Sequence, residues 1–101
     1  MAISNVTLTS TISNVYVSSG NTVVSVMYFC NPDVSARYLN VYAVPSGTST
    51  IDDTVKIYNN VTIAPGDTFV VDMEKLVLGN GDTIRANASG NLTATVSYVG
   101  I

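Results

Sequence analysis

Turn formers interrupt this chain at short, regular intervals, and that rhythm limits its folds more than any other feature. Ser18-Ser19-Gly20-Asn21, Asn31-Pro32-Asp33, Pro45 to Thr50, Pro65-Gly66, Gly79-Asn80-Gly81 and Gly90-Asn91 each combine glycine, proline, asparagine or serine. Glycine reaches backbone angles closed to other residues, proline removes an amide donor, and asparagine and serine fold their side chains back on nearby amides. The runs between them are rich in β-branched residues and alternate apolar with polar, the period of a strand with one wet face. No stretch has the 3.6-residue apolar period of an amphipathic helix. Short strands with turns roughly every 8 to 12 residues predict an all-β fold, an antiparallel β-sandwich of about seven to eight short strands.

One turn recurs. Gly66-Asp67-Thr68 opens the apolar run Phe69-Val70-Val71, and Gly81-Asp82-Thr83 opens Ile84-Arg85-Ala86. Two copies are too few for a repeat array, which needs at least about three, so they read as strand initiators. Between them, Met73 to Leu76 is the one place suited to a helical turn. Upstream, Asn5 to Thr9 and Thr11 to Val17 are expected to form an N-terminal strand pair or one long bent strand. Thr22 to Cys30 is apolar on both faces, the pattern of a central strand covered on both sides. Asn59-Asn60 interrupts the alternation from Thr54 to Ile63, and a turn or a bulge fits there. Pro65-Gly66 predicts a type II turn if glycine holds its third position.

The 101 residues suit a single domain spanning 1–101, with residues 1–5 as an N-terminal arm free to move until docked. Charged residues make up only 11%, so the surface is polar mainly through Ser, Thr and Asn. A surface so poor in charge suits a protein held in an assembly better than one kept apart from its neighbours by repulsion. The net charge is −3, and the four cations, Arg37, Lys56, Lys75 and Arg85, are too scattered to neutralise a run of phosphates, so no nucleic-acid partner is expected. No apolar run approaches the roughly 20 residues of a spanning helix, so no membrane partner is expected either. The N-terminus lacks the basic and apolar regions of a signal peptide.

Chemistry is sparse. Without histidine there is no Ser-His-Asp or Cys-His arrangement, and the commonest zinc ligand is missing. Cys30 therefore reads as a small buried hydrophobe. The acidic residues lie mostly at turns, where aspartate bonds locally, and neither Asp52-Asp53 nor Asp72-Glu74 has the spacing of a calcium loop. The chain reads as non-enzymatic, with no cofactor and no metal. The candidate partner contacts are Tyr38 and Tyr42 on one strand face, and the small polar loop Pro45, Ser46, Gly47 and Thr48. A glycan-binding module stacking sugars on Tyr16, Tyr38, Tyr42 or Tyr58 is the competing reading, weakened by the absence of tryptophan.

The segment Val61-Thr-Ile-Ala-Pro-Gly-Asp-Thr-Phe-Val-Val-Asp, then Lys75-Leu-Val-Leu-Gly-Asn-Gly-Asp-Thr-Ile-Arg-Ala-Asn-Ala-Ser and the closing Val96-Ser-Tyr-Val-Gly-Ile, resembles small β-sandwich virion proteins of tailed bacteriophages. The likeness covers about the last 40 residues. It implies a structural role on the particle, first as a capsid decoration (cement) protein binding between major capsid subunits, otherwise as a neck, tail or fibre accessory subunit. It also implies a homo-oligomer made in the host cytoplasm and ending in the virion.

Overall fold

The computed structural model describes residues 2–48, 50–72 and 76–101. The described residues form nine strands: β1 (Ala2–Leu8), β2 (Ser13–Val17), β3 (Thr22–Cys30), β4 (Arg37–Val44), β5 (Lys56–Ile63), β6 (Thr68–Val71), β7 (Leu76–Leu78), β8 (Thr83–Ala88) and β9 (Leu92–Gly100). One sheet has the order β1-β9-β3-β6, with β7 end to end with β6 along β3; the other has the order β2-β8-β4-β5. Every pairing is antiparallel. The expected all-β sandwich is the fold observed, with one more strand among the described residues than the upper expectation, because Leu76–Leu78, at the end of the stretch read as a helical connector, forms β7.

The inward side chains follow from strand alternation. Leu8, Phe29, Leu39, Ile84, Leu92 and Val96 are fully buried between the sheets. Burying each such side chain contributes about 1.5–3 kcal/mol. Aromatic pairs fasten the sheets to one another: Tyr16 of β2 packs on Tyr98 of β9 with centroids 4.3 Å apart, and Tyr58 of β5 meets Phe69 of β6 edge-on at 5.3 Å.

The local expectations divide. The Pro65-Gly66 turn has Gly66 at φ 72° and an Asp67 N–H donating to the Ala64 carbonyl at 3.0 Å, as a type II turn requires. Asn59-Asn60 is a bulge: Asn60 has φ 50°, its amide donates to Asn40 Oδ1 at 2.9 Å, and the register with β4 slips between Leu39 and Val41. The helical turn expected at Met73 to Leu76 falls mostly outside the described residues, and Leu76 itself begins β7. A 3-10 turn occurs instead at Asp53–Val55, where Asp52 Oδ1 accepts from the Thr54 amide at 2.9 Å and so caps it.

Three expectations need correcting. The N-terminal segments do not pair with each other: β1 lies in the five-stranded sheet and β2 in the four-stranded one, because Leu8 and Val15 enter the core from opposite sides. Residues 2–5 are not an arm. They are paired strand, Ala2 opposite Tyr98 through Asn5 opposite Thr95, because β9 offers a full ladder of backbone partners. Finally, β3 is central but covered on one face only. Val24, Met27 and Phe29 point into the core, whereas Tyr28 on the other face is 42% exposed.

Candidate functional site

The two sheets differ in charge. No strand of the five-stranded sheet contains Asp, Glu, Lys or Arg, whereas the four-stranded sheet carries Arg37, Lys56 and Arg85. Among the described residues the carboxylates all lie outside the strands, in turns or at their ends. The outer face of the five-stranded sheet is therefore uncharged along every strand. The register places Ile3 opposite Ser97, Val23 opposite Val99 and Val77, and Tyr28 opposite Thr95 and Val70. Ile3, Tyr28, Val70, Val77 and Val99 are all exposed, Ile3 and Val77 by about two thirds. Apolar side chains grouped on one sheet face mark a surface suited to contact; scattered singly they would mean nothing. Cys30 lies partly buried on this same face, between Thr93 and Thr68, rather than in the core.

The residues expected to contact a partner are not brought together. Tyr38 is 53% exposed at one end of β4, where its backbone exchanges hydrogen bonds with Ser89. Tyr42 is buried to 6%. Its neighbours across the sheet are Arg85 and Lys56, and the Lys56 ammonium sits 5.7 Å from the ring centroid in a cation–π contact. The loop from Pro45 to Thr48 leaves the far end of β4, seven residues and about 23 Å from Tyr38. It closes as a turn through Thr48 N to Pro45 O at 3.2 Å, and its Ser46 amide donates to Asp82 Oδ1 at 2.8 Å. Nor do Tyr16, Tyr38, Tyr42 and Tyr58 form a sugar platform. Tyr16 and Tyr58 pack against the core, Tyr42 is covered, and Tyr38 stands alone.

Among the described residues, Asp33, Asp52, Asp53 and Asp82 are committed to structure. Hydrogen bonding and charge from Arg37 hold Asp33 below the usual aspartate range; the Thr54 hydroxyl and amide do the same for Asp52. Asp82 is lowered by the amides of Ser46 and Gly79, each donating to one carboxylate oxygen at 2.8 Å. Asp53 pairs with Lys56 at 3.1 Å. Among the described residues no group of three or more Cys, Asp or Glu side chains converges as a metal site would require. The acidic pair Asp72-Glu74 lies partly outside the described residues.

Sequence reasoning missed the uncharged sheet face, although its signal was present: every charged residue falls outside five particular runs. What the sequence did not show is that those five runs share one sheet. Comparison with protein-family models, curated proteins and solved structures finds no match to this chain.

Proposed function

We propose that this chain is a non-catalytic structural subunit of a larger assembly, and that the assembly is a phage particle on which it acts as a decoration protein. The observation that carries the reading is the five-stranded sheet, whose strands contain no charge and whose outer face exposes Ile3, Tyr28, Val70, Val77 and Val99. The apolar composition of β3 suits a strand covered on both faces, and the chain itself covers only one. A neighbouring subunit supplies the second cover. The mechanism is mass action: a ligand that binds only the assembled lattice stabilises it in proportion to its occupancy. The virion assignment comes from the C-terminal resemblance, and low charge agrees with it.

The test is association with particles. Copurification with capsids in many copies per particle, and earlier heat or low-salt disruption of particles lacking the protein, are the expected results. A monomer that is absent from particles and binds glycans on an array overturns the proposal.

A further inference from the structure

The sandwich has four kinds of sheet edge, and three are blunted. Unpaired edge strands template further pairing, and proteins protect them with bulges, charges, proline or shortness. β2 carries a register slip between Asn14 and Tyr16. β5 carries Lys56 and two register slips, one of them the Asn59-Asn60 bulge. β6 and β7 are four and three residues long, and Asp72 directly follows β6.

β1 has none of these devices. It runs seven residues, Ala-Ile-Ser-Asn-Val-Thr-Leu, and pairs with β9 from Ala2 opposite Tyr98 to Leu8 opposite Leu92 without a slip. It contains no charge, no proline and no glycine. As the end of its sheet order, it has no strand on its other side.

We propose that two copies of this chain pair through β1, antiparallel about a twofold axis, joining two five-stranded sheets into one ten-stranded sheet. The occupant is a second copy because β1 is the one regular, unprotected edge among the described strands, and two like edges satisfy each other only about a twofold. A pairing centred on Asn5 sets Ser4 opposite Val6, Ile3 opposite Thr7 and Ala2 opposite Leu8. This parity keeps Ile3, Asn5 and Thr7 on the outer face, so the core side of each strand stays inward. Neither β1 nor β9 brings a charge to the junction, so the net charge of −3 per chain does not act at close range there. The outer faces of the two sheets then join into one uncharged surface. The inference rests on the reading of the chain as an assembly subunit and names the contact between its copies.

Sedimentation of the full chain across a concentration series tests it, with a dimer expected. Asn5→Lys alone and Asn5→Glu alone place like charges opposite each other at the axis, and each weakens the dimer, by about fivefold in Kd. Mixing the two variants restores it. In a Cys30→Ser background, Asn5→Cys crosslinks to its own copy on oxidation, because directly opposed residues lie about 4.5–5.5 Å apart at Cα. Ile3→Cys, which faces Thr7, does not. A monomer at every concentration, oligomers growing beyond two, or a dimer indifferent to Asn5 but broken by Tyr28→Lys on the outer face overturns the proposal. A monomer still found on particles overturns the pairing and leaves the structural role standing; a dimer absent from particles does the reverse.

Discussion

The two Gly-Asp-Thr turns sit at opposite poles of the sandwich and dock in the same way. At one pole the Gly66 amide donates to the Asn31 carbonyl and the Asn31 amide donates to the Asp67 carbonyl, both at 2.9 Å. At the other, Gly81 donates to the Ser18 carbonyl and Ser18 to the Asp82 carbonyl, again at 2.9 Å. Both glycines have positive φ, 72° and 86°. Each turn thus grips one buried polar residue, Asn31 or Ser18, at the end of a strand from elsewhere in the chain. The side chains differ. Asp67 bonds locally, to the Thr68 amide at 2.8 Å, while Asp82 reaches the separate loop at Ser46. The shared backbone geometry sets the strands, and the side chains decide how much else each pole holds.

The largest difference is expected at the gripped residues. Asn31 Nδ2 donates to Ser35 O and Ile63 O, both at 2.9 Å, and its Oδ1 accepts from the Asp33 amide at 3.0 Å. Ser18 Oγ makes two bonds, to Gly20 O at 2.9 Å and Thr22 Oγ1 at 3.0 Å. At a net of about 1 kcal/mol per bond, with about 1 kcal/mol more for the Ile63 carbonyl left buried, Asn31→Ala loses about 4 kcal/mol and Ser18→Ala about half that. Urea denaturation with unchanged slope measures both. Equal losses would show that the poles are held by backbone exchange alone.

The glycines come next. Alanine at either position meets a positive φ, a strain of about 1–2 kcal/mol. At Gly66 an added Cβ has nothing within 4 Å, whereas at Gly81 it stands 2.7 Å from Ser46 Oγ and 3.2 Å from Ser46 Cβ. Gly81→Ala is therefore expected to cost about 1 kcal/mol more than Gly66→Ala, since Ser46 must shift and the hydrogen bond its N–H donates to Asp82 Oδ1 lengthens. Ser46→Gly combined with Gly81→Ala removes the clash and should bring the loss back to that of Gly66→Ala. Thermal denaturation of these variants beside wild type decides it.

How far the sequence discloses this molecule depends on the range of the interaction. Turn chemistry is local, so the Pro65-Gly66 turn and the Asn59-Asn60 interruption are legible from neighbouring residues alone, and strand alternation identifies Leu39, Val41, Leu92 and Val96 as core. Pairing is not local. Nothing near Ala2 announces Tyr98 as its partner, so β1 passes for an arm or for the mate of β2. Burial outside the core is equally hidden: Tyr42 has the sequence context of Tyr38, yet Lys56 is laid over it from another strand. The apolar composition of β3 gives no sign that one of its faces lacks a cover within the chain.

The smallest effect is electrostatic and separates the poles by pH. The Ser46 and Gly79 amides hold the Asp82 carboxyl below the usual aspartate value of about 3.9. The folded state thus binds a proton at this site less readily than the unfolded chain. Its contribution to stability is full above the unfolded value and fades as pH falls toward the lower folded value. Asp82→Asn keeps one oxygen acceptor and removes the titration. The variant is expected to be somewhat less stable than wild type near pH 7 and to lose less stability between about pH 5 and 3, so that the two denaturation midpoints converge on acidification. Asp33 and Asp52 are lowered too, and they keep a residual acid dependence in the variant. Midpoints that stay parallel over this range would mean that Asp82 holds the Ser46 loop as a dipole and that its charge contributes nothing to the pole.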